Sequence, residues 1–197
     1  MTDSTLDRRD LLAPLFPDPA DWLFVSGLAG ASRDASALTG EGDNLFTMGG
    51  AMGAAVSMAL GVALSAPAQK VACVTGDGEL LMNVGALATV ASAMPANLTI
   101  VCVDNARHSE TGGQQGHTAR RTDLARLAEG AGIAAVHTVA APDGLAEAAC
   151  FVASGTGPRF LWARVMDGPP APWNRNWNLA ECRLRFRNAW LAKAAAG

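Results

Sequence analysis

The chain has 197 residues, half of them hydrophobic and 17% charged, with a formal net charge of −3. That length suits one domain with a full core, and the slight acidity gives no basic footprint for a nucleic acid. The polar N-terminus and the lack of an apolar run long enough to span a bilayer make a cytoplasmic location the expectation, with no membrane contact.

The spacing predicts a short helix over 5–15, stopped by Pro14 and Pro17, then a strand over 22–25 running into the loop Ser26-Gly27-Leu28-Ala29-Gly30. A helix over 32–38 ends at Gly40 and Gly42. A short strand covers 45–48, and Gly49-Gly50-Ala51-Met52-Gly53 opens a helix of small residues that runs to Ser65. The apolar run 71–75 closes on Gly76-Asp77-Gly78, and a helix follows over 79–93. A second apolar run, 98–103, closes on Asp104-Asn105 and leads into a polar loop over 105–118. A helix over 123–131 with Thr122 as its N-cap, a strand over 134–139, a helix over 142–154 and a strand over 160–165 complete the alternation.

This order predicts an α/β fold: a single domain over 1–166 with a mostly parallel sheet and helices on both faces. Residues 167–197 change character, with prolines and tryptophans ahead of a final helix over 180–194. They read as an extension packed on the domain or on a partner. The positive mean hydropathy points the same way, toward surface buried against another subunit. Cys73, Cys102, Cys150 and Cys182 lie far apart without metal-ligand spacing, so no zinc site, cluster or disulfide framework is expected. Cys73 and Cys102 read as small core residues.

Ligands of a doubly wound sheet gather at the carboxyl ends of its strands. Asp77 and Asn105 end two such strands and offer hard oxygen donors, the kind Mg²⁺ takes. The glycine turns at 49–53 and 76–78 each lead into a helix, turning backbone N–H groups toward the same space and forming an anion site. Each turn alone is ordinary chemistry. Together they describe a Mg²⁺-diphosphate site.

The order Gly50-Ala51-Met52-Gly53, Gly76-Asp77-Gly78, Asp104-Asn105 resembles the thiamine diphosphate-binding signature of the thiamine-dependent 2-oxo acid decarboxylases. Arg8-Arg9, Val25-Ser26-Gly27, Ser32-Arg33-Asp34, the run 76–83, Thr111-Gly112-Gly113-Gln114 and Thr122-Asp123-Leu124 extend the likeness over about residues 5–165. Within the family it is most similar to the branch of sulfopyruvate decarboxylase β subunits and the C-terminal halves of phosphonopyruvate decarboxylases. The resemblance implies the thiamine diphosphate-binding fold, that cofactor with Mg²⁺, and decarboxylation of a small 2-oxo acid to an aldehyde and carbon dioxide. It implies Asp77 and Asn105 as metal ligands, with the backbone carbonyl of Arg107 as the third. It puts Gly76, Gly78 and Glu79 at the diphosphate, the last two through backbone amides. It makes the Gly50 carbonyl an acceptor for the cofactor's 4′-amino group, with Ala51 in the same turn, and Met52 a wedge beneath the cofactor, a role that an adaptable apolar side chain suits.

The family's activating glutamate lies on a separate pyrimidine-binding domain, for which this chain has no segment. The resemblance therefore implies a partner α subunit carrying it, in an α₂β₂ or larger assembly. Arg107-His108 departs from the aromatic residue that related chains often have there. Either residue could bind a substrate carboxylate or sulfonate, or His108 could act catalytically as a proton donor, or both could simply be solvated. His117, Arg120 and Arg121 flank the same loop. A carboligase subunit of acyloin or acetolactate type, the thiamine-binding subunit of a 2-oxo acid oxidoreductase and a non-catalytic cofactor-binding module stand as other readings. The cysteine spacing weighs against the clusters an oxidoreductase would want.

Overall fold

The computed structural model describes residues 4–154 and 156–195; the ends of the two predicted units, at 1–3 and 196–197, and Gly155 lie outside the described residues. Helix α1 (Leu12–Leu15) precedes β1 (Trp22–Ser26), α2 (Ala29–Thr39), β2 (Leu45–Thr47) and α3 (Ala55–Ser65). Strand β3 (Lys70–Gly76) follows, then α4 (Asp77–Met82), α5 (Ala86–Ala93) and β4 (Leu98–Asp104). A small hairpin of β5 (Arg107–His108) and β6 (Gln114–Gln115) leads to α6 (Leu124–Gly130), β7 (Ala135–Val139), α7 (Leu145–Ala153), β8 (Arg159–Arg164) and α8 (Leu179–Ala195).

Six strands form one sheet in the order β2-β1-β3-β4-β8-β7, and every pairing is parallel. The strands are β-branched and apolar, and successive side chains enter opposite layers. Leu23, Val25, Val71, Cys73, Leu98, Ile100 and Cys102 face one core with α3, α5, α6 and α8. Phe24, Ala72, Val74, Val101 and Val103 face the other with α1, α2 and α7. Helices therefore cover both faces, as predicted. All four cysteines are unpaired, and Cys73 and Cys102 are core residues. Among the described residues no helix is long and apolar enough to cross a membrane.

Four local expectations are corrected. The helix predicted over 79–93 begins at Asp77 and breaks into α4 and α5. Asn83 leaves helical geometry (φ −143°, ψ 51°), and its carboxamide donates instead to the Gly53 carbonyl at 3.0 Å. The N-cap of α6 is Asp123, not Thr122; its carboxylate accepts from the Arg126 amide at 3.0 Å. The helix predicted over 5–15 is a 3₁₀ turn at Arg8–Asp10 followed by one turn of α1, since Pro14 leaves no room for a longer ladder. The loop over 105–118 contains the β5–β6 hairpin, in which Arg107 pairs with Gln115 and His108 with Gln114.

Residues 167–178 carry no helix or strand and form a strap along α2 and the turn after it. The Ala171 amide donates to Asp34 Oδ1 at 2.9 Å, Trp173 Nε1 donates to Glu41 Oε2 at 3.2 Å, and the Asn176 amide donates to Glu41 Oε1 at 2.6 Å. Asp34 also receives Arg8 in a buried ion pair, with Nη2–Oδ2 at 2.7 Å. Helix α8 then runs beside the edge strand β2, with Phe186 against Phe46 and Arg185 donating to Asp43 Oδ1 at 2.6 Å.

Candidate functional site

The sheet order reverses between β1 and β3, which puts the crevice at the carboxyl ends of β1, β3 and β4. Gly76 pairs with Val103, so Asp77 and Asp104, each the next residue, leave adjacent strands side by side. Asp77 is only 3% exposed. Burial first, then the neighbouring Asp104 carboxylate, push its carboxyl up to about 7. No lysine or arginine among the described residues pairs with either group.

Asp104 is held from three sides. Trp162 Nε1 donates to Oδ2 at 2.8 Å, the Thr118 hydroxyl donates to Oδ1 at 2.8 Å and the Ala106 amide donates to Oδ1 at 2.7 Å. The same Thr118 hydroxyl lies 3.4 Å from Asp77 Oδ2. Asn105 is buried, and its Nδ2 donates to the Ser109 hydroxyl at 2.9 Å. That fixes the amide so that Oδ1 is left with one long contact, the Arg107 amide at 3.4 Å. A cavity of about 370 Å³ opens here, lined by Asn105, Arg107, Thr118 and Asp167 among others.

The donor set tests whether a metal fits. Two buried carboxylates without a cation leave the pocket short of positive charge, and Asp77 and Asn105 both present oxygen. One carboxylate, one carboxamide and backbone carbonyls form too sparse a cage for a wholly protein-bound ion. Indeed, no group of three or more His, Cys, Asp or Glu is arranged for metal among the described residues. It is the sort of partial shell that suits Mg²⁺ completed by phosphate oxygens and water.

The glycine turn stands next to this floor. Gly49, Gly50 and Gly53 adopt φ of +42°, +127° and +84°, which side-chain-bearing residues rarely reach. Met52, between them, is 49% exposed rather than packed in the core. Asn83 ties the turn to the break between α4 and α5 through Gly53. Gly76 ends β3, Gly78 lies in the first turn of α4, and Ala51 is exposed in the glycine turn. Glu79 does more than its backbone: its Oε2 accepts from the Leu28 amide at 3.0 Å, bracing the loop after β1. A Cβ on Gly27 would collide with that carboxylate. Oε1 of Glu79 is buried without a hydrogen-bond partner among the described residues, and burial raises the carboxyl above its ordinary range.

His108 stands over α4, its Nδ1 3.1 Å from where a Cβ on Gly78 would lie. Its ring meets His117 edge-on at 6.2 Å. Arg107 turns away: its guanidinium pairs with Asp167 at 3.2 Å and donates to the Gly113 carbonyl at 3.1 Å. His117, Arg120 and Arg121 are exposed on the following turn. Sequence reasoning passed over Asp104, Thr118 and Trp162 as a set. Only Asp104, beside Asn105, carried a signal; a tryptophan in a strand and a threonine in a turn carry none.

Residues 35–162 match the thiamine pyrophosphate enzymes, C-terminal TPP binding domain. The chain belongs to this family. Within this family of thiamine pyrophosphate enzymes, it is 38% identical over 158 residues to a phosphonopyruvate decarboxylase of Streptomyces viridochromogenes, covering 80% of this chain and 38% of that protein. It is 30% identical over 184 residues to a sulfopyruvate decarboxylase subunit beta of Methanococcus maripaludis, covering 93% of this chain and 97% of that one. The chain thus spans about two-fifths of the length of the phosphonopyruvate decarboxylases it matches, 38% and 40%. A solved structure from Mycobacterium smegmatis, described as thiamin diphosphate-dependent, superposes with a TM-score of 0.63 at 21% identity. It covers 85% of this chain and 32% of that one, and bears on the fold alone.

Proposed function

We propose that this chain is the diphosphate-binding β subunit of a heteromeric, Mg²⁺- and thiamine diphosphate-dependent decarboxylase of a small 2-oxo acid, yielding an aldehyde and carbon dioxide. The observation that carries the reading is the buried, cation-free pair Asp77 and Asp104 beside the oriented Asn105, at neighbouring strand ends.

In this reading Asp77, the Asn105 carboxamide and the Arg107 carbonyl hold Mg²⁺, and the Gly78 and Glu79 amides meet the diphosphate. The Gly50 carbonyl, in the turn with Ala51, accepts from the cofactor's amino group, and the exposed Met52 packs beneath it. When bound, the cofactor supplies an electron sink for the carbon–carbon bond that releases carbon dioxide. Asp104 takes no ligand role, because its oxygens are filled by Trp162, Thr118 and Ala106; it keeps Asp77 and Asn105 in place. His108, leaning over Gly78, is the proton donor of this chain. Arg107 serves the strap through Asp167, so the substrate's anion is not its task.

A partner α subunit contributes the pyrimidine-binding half and its glutamate, in an α₂β₂ or larger assembly. Support comes from the subunit name of the relative matched end to end, and from relatives more than twice as long as the region they share with this chain. The four unpaired cysteines fit a reducing, cytoplasmic setting. The test is co-expression with a thiamine-domain partner, followed by assays of carbon dioxide release from a panel of 2-oxo acids. The expected result is activity from the complex with Mg²⁺ and cofactor, and none from this chain alone. Full activity of the isolated chain would remove the partner, and no release from any acid would remove the decarboxylase.

A further inference from the structure

The strap brings one arginine to another. Arg33, in the first half of α2, is half-buried and has no hydrogen-bond or ion-pair partner among the described residues. Arg175, in the strap, donates to the Ser32 hydroxyl and lies over the Trp177 ring, its Cζ 4.3 Å from the centroid. Burial and then the nearby Arg33 guanidinium disfavour the charged form of Arg175. Two like charges that feel each other in this way are destabilising unless an anion offsets them. The chain's own acids, Glu110 and Glu41, offset this only in part. Glu41 is occupied by Trp173 and the Asn176 amide, and Glu110, which also feels Arg175, is exposed on the loop after β5.

Next to the pair is a cavity of about 470 Å³ lined by Arg33 and by the strap from Pro169 to Asn174. Three prolines stiffen that wall and remove N–H donors from it, leaving Arg33 as the charged donor among its lining residues, with Arg175 next in the chain after the last of them, Asn174. The position matters as much as the charge. Arg33 follows the loop leaving β1, Glu110 follows the loop leaving β4, and Leu179, at the far end of the strap, closes on the glycine turn, 2.5 Å from where a Cβ on Gly49 would lie. The arginines thus stand at the rim of the crevice whose floor is Asp77 and Asn105.

We propose that Arg33 and Arg175 together seat a tetrahedral oxyanion, the phosphonate or sulfonate end of a 2-oxo acid, and thereby set the substrate class of the site. Planar guanidinium groups suit such an anion through paired charge-assisted hydrogen bonds. The inference rests on the decarboxylase reading for its substrate, but the anion seat itself is a property of this chain.

Phosphonoacetate and sulfoacetate carry the two anionic ends without a 2-oxo group and serve as probes, with acetate as the control. The full chain is titrated with each by calorimetry, as wild type, Arg33→Gln, Arg175→Gln and the two Lys variants. The expected result is binding of at least one oxyanion probe, weakened roughly tenfold or more by each Gln change and partly restored by Lys, with acetate indifferent. Which probe binds tighter separates phosphonate from sulfonate. In the complex, the same Gln changes lower the ratio of kcat/KM for the oxyanion-bearing acid over that for pyruvate by a similar factor. Wild-type chain that binds neither probe, or variants that bind them as well as wild type, overturns the proposal. A fall in kcat/KM that is equal for pyruvate also overturns it, since that marks a strap brace only. Loss of the decarboxylase reading would appear separately, as a complex inactive on every acid while the probe titrations keep their arginine dependence.

Discussion

The floor of the crevice and the strap over its rim are built in opposite ways. The floor is negative, buried and assembled from residues that directly follow two paired strands. The strap is aromatic, without regular structure, and hung on acids of α2 and the loop after it, where it sets Arg175 near Arg33. The floor owes its geometry to the sheet, so it is preformed and incomplete only in charge. The strap owes its geometry to a few side-chain latches, so Arg175 stands where it does only while Asp34 and Glu41 hold. On the proposed reading, binding metal belongs to the first and choosing an anion to the second, and each can be damaged without the other.

The largest effect expected is at the root of the strap. Asp34→Ala strands Arg8 as a buried, unpaired charge and frees the Ala171 amide, and should cost about 3–5 kcal/mol of stability. Urea unfolding reads it. If the loss is below about 1 kcal/mol, the Arg8–Asp34 pair does not anchor the strap, and the contrast drawn above fails.

At the floor, Asp77→Ala should weaken Mg²⁺-dependent thiamine diphosphate binding by about 100-fold or more, beyond what removal of a merely supporting residue causes. The same change relieves the repulsion with Asp104, so the unliganded chain should melt no lower than wild type. Calorimetric titration and thermal melting together check both halves. A variant that melts much lower yet binds normally would turn the floor into a structural feature.

The pH dependence follows from the same carboxyl. Asp77 titrates at about 7 in the unliganded fold, against an ordinary value of 3.8, so folding takes up a proton between those values. Its contribution therefore makes the unliganded chain less stable as pH rises from about 4 to about 7. Metal needs the ionised form, so Mg²⁺ affinity should fall as pH drops below about 7, with proton release on binding. Melting curves with and without Mg²⁺ and cofactor across that range test the sign, and Asp77→Asn should flatten both trends.

The smallest effect is Glu41→Gln. It weakens the latches to Trp173 and the Asn176 amide, and should cost roughly 1 kcal/mol while leaving metal and cofactor binding unchanged. Protease cutting within 167–178 should speed up. Faster cutting accompanied by lost cofactor affinity would mean that strap and floor are one unit.

The floor was legible from the chain because it is local. Two apolar runs, each closed by its own Asp- or Asn-bearing turn, must lie side by side in a parallel sheet, and the adjacency of β3 and β4 brings Asp77 and Asn105 together. The sheet was legible for the same reason, since alternating helices and apolar strands leave few arrangements. The break at Asn83 was hidden, because a helical pattern runs through it and only the distant Gly53 carbonyl draws its carboxamide away. The side-chain role of Glu79 was hidden too, because the loop it braces lies a strand away. Of the strap, the sequence showed a change in composition and an extension packed on the domain or on a partner, but none of its latches. Its prolines predict no partner, and Asp34, Glu41 and Asp43 look like ordinary surface acids until the tail lies over them.

Sequence separation also sets an order of events during synthesis. Thr118 reaches Asp77 and Asp104 across 41 and 14 residues. Trp173 and Arg185 reach Glu41 across 132 and 144. Short closures form early, and long ones wait for the chain to be released. Arg33 is translated before the acidic floor and Arg175 after it, so the arginine pair at the rim is completed only when the strap has been made. The strap side of the proposed anion seat is the last part of the site to be made.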